Sequence, residues 1–369
     1  MIPIRLVSLC ITFICSVPNL IGQQALFQRH ESMNTTWRGD QKFRVVFWNV
    51  ENLFDLENDS LKNDEVFTPD GENRYTFSRY KKKSTGLAQT MLAMGGNEPV
   101  EFIGLCEVEN QWVLEGLTIH SPLKKVGYKI IHEESPDSRG IDVAAIYRPD
   151  KFNLILYKYY RVIFPYDNDR GTRDILYAKG ILPNEDTLHI FVNHWPSRYG
   201  GQFASEQGRM HVAGMIRQKV DSLNARYHNP HIVITGDFND EPDDISLLQN
   251  LQARLSPKDA VGNDLVNLSF PIKYKFGTHS FAGEWGLLDQ FIVSNSLLGD
   301  GTTTTEPGFI GIFDAPWLLK KNAAGNSVTN RTFQGPAYQG GYSDHLPIFL
   351  DLKLRPRENE NGAEISGAD

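Results

Sequence analysis

At 369 residues the chain exceeds a typical single domain, yet α/β enzymes built on two sheets reach this size as one unit. Its formal net charge of -8 excludes a broad basic face as the means of holding an anionic polymer, so a phosphate-bearing partner must be gripped locally. With only Cys10, Cys15 and Cys106, a disulfide-stapled fold is excluded too, and stability must come from a packed core.

The chain opens with Arg5, an apolar run from Leu6 to Val17 broken by Ser8, Thr12 and Ser16, and then Ile21-Gly22-Gln23. That is the plan of a secretory signal peptide, and the run is too short and interrupted to span a membrane. Neither Cys10 nor Cys15 follows a small residue as a lipid-attachment cysteine should. Export with cleavage near Gly22 is therefore expected, to the periplasm or the extracellular space, with no stable membrane anchor. Cleavage leaves Cys106 alone. The expected organisation is a signal peptide over 1–22, a polar leader over 23–41, one domain over 42–355 and a polar tail over 356–369.

Phe43 to Val50 reads as the first strand, with Trp48-Asn49 at its end. The charged stretch from Asp55 to Arg74, with its Pro69-Asp70-Gly71 turn signal, reads as an excursion over the surface. Tyr80 to Met94 fits an amphipathic helix with Lys81, Lys82 and Lys83 on the solvated side. Phe102 to Cys106 is a second buried strand, ending in Glu107, and further strands are expected at 143–147, 152–160, 175–181 and 188–193. Ser205 to Leu223 has the apolar spacing of a one-sided helix. Ile232 to Thr235, Leu287 to Ser294 and Ile348 to Leu352 complete the strands. Many short strands with two or three good helices favour two stacked, mixed, largely antiparallel sheets flanked by helices, a four-layer α/β sandwich. The stretch from Asp300 to Gly341, rich in Thr, Gly and Asn, is either a mobile insertion or a loop shaping the mouth of a site.

Two stretches carry polar groups at the end of a buried-type strand, where α/β scaffolds commonly present a reactive site. In Gly236-Asp237-Phe238-Asn239 the two polar side chains alternate by two and can point to one side, although capping accounts for them equally well. In Ser343-Asp344-His345 the adjacent acid offers metal ligation and the imidazole proton handling. Asn49 and Glu107 both close strands and supply oxygen donors of the kind a hard divalent cation takes; each alone could be a solvated strand end. His194 follows a strand beside Trp195, and the tryptophan could be the important residue, as a packing anchor. Arg173 could meet a phosphate oxygen bidentately or form a salt bridge. Asp289, a carboxylate inside an apolar run, needs a partner, and an imidazole is a natural one.

Trp48-Asn49-Val50-Glu51-Asn52, Glu107, Asn193-His194-Trp195, Gly236-Asp237-Phe238-Asn239, Leu288-Asp289-Gln290 and Ser343-Asp344-His345 occur in the order found in the endonuclease/exonuclease/phosphatase superfamily, which includes deoxyribonuclease I. The chain resembles that group over roughly residues 43 to 352. The resemblance implies Asn49, Glu107 and Asp344 as ligands of a divalent metal, magnesium in the first place and manganese or calcium as alternatives. It implies Asp237 as the residue that orients or deprotonates the attacking water, Asn239 as the amide that holds the phosphate, and His345 as the phosphate-bonding histidine oriented by Asp289. His194 is similar to a second histidine supported by Asp142, and Arg173 resembles a phosphate-binding arginine. The segments 55–74 and 300–341 have no counterpart in the compact nucleases and leave the substrate open. The expected activity is phosphodiester hydrolysis, most simply of DNA or RNA. A phospholipid or sphingomyelin phosphodiesterase is the alternative, with Phe309 to Phe313 and Trp317-Leu318-Leu319 as its candidate apolar loop, unless that stretch is buried strand; a binding module that has lost catalysis is a third. No nucleophilic Ser or Cys and no obligate protein partner is implied.

Overall fold

A computed structural model of the protein describes residues 41–357, apart from Asn168 and Tyr274. The expected signal peptide, nearly all of the polar leader, and the tail from residue 358 lie outside the described residues. No helix among the described residues is long and apolar enough to cross a membrane.

In chain order the strands are β1 (Gln41–Leu53), β2 (Phe102–Val108), β3 (Lys129–His132), β4 (Asp142–Tyr147), β5 (Asn153–Tyr160), β6 (Ile175–Ile181) and β7 (Thr187–His194). There follow β8 (His231–Asp237), β9 (Ala253–Arg254), β10 (Leu265–Asn267), β11 (His279–Phe281), β12 (Glu284–Gly286) and β13 (Asp289–Ser294). The last third adds β14 (Thr303–Thr304), β15 (Ile310–Ile312), β16 (Leu319–Lys321), β17 (Ser327–Thr329), β18 (Phe333–Gln334), β19 (Ala337–Tyr338) and β20 (Ile348–Leu354). The longer helices are α1 (Phe77–Gly95), α2 (Gln111–Thr118) and α3 (Gln202–Arg226).

Two large sheets form, ordered β14-β20-β1-β2-β4-β3, with β15 also on β20, and β5-β6-β7-β8-β13-β10-β9. Only the β1–β2, β7–β8 and β9–β10 pairs are parallel, so the mixed, largely antiparallel reading is correct. β1, β2 and β4 face β7 and β8 across the sandwich. Strands covered on both faces read as continuous apolar runs, which is why Phe43 to Val50 and Ile232 to Ile234 are buried throughout. The sheets approach so closely at Gly104 that a Cβ there would stand 2.8 Å from Val192 Cγ1. On the outer face of the second sheet, α3 lays Val212, Ala213, Ile216 and Val220 over Phe191, Ile232 and Ile234.

Three expectations need correction. β1 does not stop at Val50 but runs to Leu53, through a register shift at which Glu51 and Asn52 take left-handed φ values of 49° and 53°. Lys83 does not share the solvated side of α1: three residues beyond Tyr80 and four before Leu87, it lies on the buried stripe and is 1% exposed. Phe309 to Phe313 is no exposed apolar loop, because β15 pairs with β20 and buries Ile310, Ile312 and Phe313. Trp317 beyond it is half-exposed and donates its indole N–H to Thr90 Oγ1 at 3.0 Å. The remainder of 300–341 is the second of the two forms expected, a folded segment whose end reaches the site described next.

Candidate active site

The register of the second sheet sets three functional groups in a row. His194 pairs with Asp237, and Asp237 with Asp289, so the ends of β7, β8 and β13 present imidazole, carboxylate and carboxylate on neighbouring strands. The first sheet supplies the facing groups, since β1 pairs Asn49 with Cys106 and so sets it beside Glu107. Asn49 Nδ2 donates to Glu107 Oε1 at 3.3 Å and to Asp237 Oδ2 at 3.1 Å, joining the two sheets. The turn before β20 is tied down separately: Ser343 Oγ donates to Asn49 O and accepts from His345 N, and Trp48 Nε1 donates to His345 O.

His345 is thereby held between two acids, with Nδ1 2.7 Å from Asp289 Oδ2 and Nε2 3.7 Å from Asp237 Oδ2. His194 Nε2 lies 3.6 Å from the same Asp237 oxygen and 3.9 Å from Glu107 Oε1. Asn239, at φ 50°, turns its backbone N–H to Asp237 Oδ1 and its amide to Trp195 O. Residues spread over three hundred positions thus meet in one cleft.

Burial sorts the charges. It opposes an imidazolium at His345, but Asp289 and Asp237 more than offset this and hold the ring well above the ordinary histidine value. His194 has no such pairing; burial, reinforced by Arg173, Arg139 and His345, keeps it neutral. The Asp237 carboxyl is pushed up by burial to about 7, with His345 pulling the other way.

A family model for the endonuclease/exonuclease/phosphatase family matches residues 44–354. The chain belongs to that family. Its members are phosphoesterases, usually served by divalent metals. No curated protein sequence matches. Among solved structures, a mannosyl-6-phosphatase of Bacteroides thetaiotaomicron is 18% identical, with 84% of this chain and 99% of that one covered at a TM-score of 0.53. Zebrafish (D. rerio) TDP2 complexed with a single-strand DNA product is 12% identical, covering 85% and 99% at 0.52. The human Nocturnin catalytic domain with a bound sulfate is 14% identical, covering 86% and 98% at 0.50. These likenesses show a shared fold.

Two site residues expected from the family resemblance stand elsewhere. Asp142 does not support His194, whose Nδ1 is buried without a hydrogen-bond partner. It pairs instead with His132 Nε2 at 3.0 Å and accepts from Ser135 N, because β4 places it beside the edge strand β3. Arg173 is 6% exposed, with Nη1 on Asp137 Oδ2 at 2.9 Å and Nη2 on Trp195 O at 2.6 Å. Those bonds make it a brace behind the loop of His194 and Asn239, while its Nε is buried without a partner.

Four participants escaped the sequence reading. Glu51 accepts from Arg331 Nε at 3.2 Å and Thr332 N at 2.6 Å, and Arg331 Nη2 reaches Asp344 Oδ2 at 2.8 Å. Beneath them the Lys83 ammonium donates to Glu51 O, Thr332 Oγ1 and Tyr342 O. His279, on the β11–β12 hairpin, bridges to His345 with ring centroids 4.6 Å apart. Lys83 had a signal in its helical spacing; Arg331 and His279 had none, since nothing periodic surrounds them.

The residues fit a divalent cation. Glu51, Glu107, Asp237, Asp289 and Asp344 outnumber the cations among them, Lys83, Arg331 and His345, and burial together with Asp344 drives the Glu51 carboxyl up to about 7. A hard cation with oxygen ligands would relieve that surplus. Asp237, Asp289 and His345 offer ligand atoms within 4.8 Å of one another; the His345–Asp289 bond occupies Nδ1, while the other Asp289 oxygen is buried without a hydrogen-bond partner. Asn49 turns its amide nitrogen to the carboxylates while its oxygen accepts Glu51 N–H, so ligation by that oxygen requires the amide to rotate.

Proposed function

We propose that the protein is an exported, metal-dependent phosphodiester hydrolase, acting as a nuclease on DNA or RNA. One observation carries the reading: Glu107, Asn49, Asp237, His345 and Asp289 form an unbroken chain of contacts, with His194 against its centre. Glu107, Asp344 and, after rotation, Asn49 would hold magnesium, with manganese or calcium as substitutes; when bound, the ion neutralises phosphate charge and acidifies water.

The chain's own groups supply the rest. Asp237, with a carboxyl poised near neutrality, orients the attacking water and takes its proton. His345, held protonated, donates from Nε2 to a non-bridging oxygen, while Asp289 fixes the ring through Nδ1. Asn239 commits one amide hydrogen to Trp195 O and keeps the other for the phosphate. Neutral His194 hydrogen-bonds on the leaving-group side. Arg173 holds the backbone that carries it.

The nuclease choice draws on the DNA-product complex of TDP2, a protein of the same fold. The lipid alternative is weakened, because most of its candidate loop is buried strand and only Trp317 is half-exposed. Export rests on the N-terminal sequence plan alone. The test is hydrolysis of bis(p-nitrophenyl) phosphate in magnesium or manganese and in EDTA, followed by parallel incubation with plasmid DNA, RNA, sphingomyelin vesicles and mannose 6-phosphate. Chelator-sensitive cleavage of the diester and of nucleic acid is expected. Activity indifferent to EDTA would remove the metal, and turnover of vesicles or sugar phosphate alone would replace the nuclease assignment.

A further inference from the structure

Away from the cleft, the outer face of the second sheet concentrates positive charge in a protein whose net charge is -8. Lys158 on β5, Lys179 on β6, and Lys219 and Arg226 on α3 line a recess of about 170 Å³ together with Tyr160, Tyr177 and Tyr227. Cations and rings alternate: Lys219 Nζ stands 4.4 Å from the Tyr160 centroid, Lys179 Nζ 4.8 Å from that of Tyr227, and the Arg226 guanidinium carbon 5.5 Å from the same ring. Lys179 Nζ also donates to the Tyr227 hydroxyl at 3.2 Å. Among the described residues none of the four cations is paired with a carboxylate, and Asp221, the acid nearest in sequence to Lys219, is taken by Arg217. A helix C-terminus accounts for Arg226 but not for Lys158 and Lys179 on the strands. The positive field is felt at Tyr227, whose hydroxyl is drawn below the ordinary tyrosine value, first by the Lys179 hydrogen bond.

We propose that this recess is a second binding site, separate from the catalytic cleft, for single-stranded nucleic acid, whose phosphates the cations grip and whose rings pack against the tyrosines. Size decides between a free ligand and a chain: the recess is smaller than the roughly 300 Å³ at which small-molecule sites begin, so it suits one unit of a longer molecule. Composition decides the class, because interleaved cations and aromatic faces are what a flexible strand of bases on phosphates requires, whereas a lipid surface has no use for recessed rings. The inference goes beyond the catalytic reading and does not depend on it.

The experiment is fluorescence anisotropy of a fluorescein-labelled oligothymidylate with the whole protein in EDTA, over a range of salt. The Lys158→Glu/Lys219→Glu variant should bind at least about tenfold more weakly, with the slope of log K against log salt reduced by about 1.4, since each strand phosphate contact contributes about 0.7. Its hydrolysis of bis(p-nitrophenyl) phosphate should be unchanged. Tyr160→Ala should weaken the oligonucleotide about fivefold and leave heparin binding unaltered, as one lost stacking contact predicts. Should the double variant misfold by circular dichroism, Lys158→Gln and Lys219→Gln singly should each lower the slope by about 0.7. Affinity and slope unchanged in the charge variants would overturn the site. Equal loss of heparin and oligonucleotide in Tyr160→Ala would reduce it to a patch for any polyanion and overturn the proposal as well. A protein that binds the oligonucleotide here yet never cleaves it would instead refute the nuclease reading.

Discussion

The floor and the rim of the cleft are built differently. The floor consists of His194, Asp237 and Asp289 in ladder register, faced by Asn49 and Glu107 from strands of the other sheet, so their backbones are fixed by sheet hydrogen bonds. The rim consists of Arg331, Thr332 and Tyr342 from the 300–341 segment and its end, and His279 from a two-stranded hairpin. Positions in a ladder cannot shift without unpairing a strand, whereas a hairpin on the edge can be replaced whole. A floor of this kind suits a fixed reaction and a rim of this kind suits substrate choice.

If the floor carries the chemistry, Asp237→Asn and His345→Ala should each lower kcat on bis(p-nitrophenyl) phosphate by roughly 10³-fold or more with the fold intact by circular dichroism, His345→Ala alone also lowering the unfolding temperature because it leaves Asp289 buried and unpaired. Near-normal turnover in either variant would break the comparison at its strongest point. Floor and rim are joined beneath the surface by Lys83, whose ammonium serves oxygens of both. Lys83→Met leaves those buried acceptors unpaired and should cost on the order of 3 kcal/mol in urea unfolding. Little loss would mean that the rim docks independently. Arg331→Ala, which frees Glu51 and Asp344 of their guanidinium, should lower kcat/KM about tenfold, and by different factors for diester and monoester substrates. Identical factors would deny the rim a part in selection. The smallest effect belongs to Asp142→Asn: with its carboxylate on His132 and not on His194, the rate should stay within about threefold of wild type, whereas Asp289→Asn should lose about a hundredfold.

The floor was legible because its residues sit in or at the ends of apolar runs, although Asn239, at φ 50°, leaves the extended path and gives its N–H to Asp237 Oδ1, so capping and not a period of two sets that pair. Asp142 and Arg173 were misplaced for the same reason in reverse: a strand-end position says that a polar group is near a site, not which neighbour it faces. Lys83 read as one of three lysines on a wet face, although its spacing from Tyr80 and Leu87 already set it on the buried stripe. Arg331 and His279 lie in short, irregular segments where neither alternation nor helical spacing exists to be read.

What the amino-acid order determined by itself was the nine longer strands, the stacking of two mixed sheets, and the polar groups that end up at one end of them, because those follow from local periodicity and from burial on both faces; the short strands β3, β9 to β12 and β14 to β19 carry too little pattern to be read. The partner of each group was decided only by tertiary structure. Register between β7, β8 and β13, the closeness of the sheets at Gly104, and the return of residue 331 to residue 51 are contacts between distant segments, and no local preference encodes them.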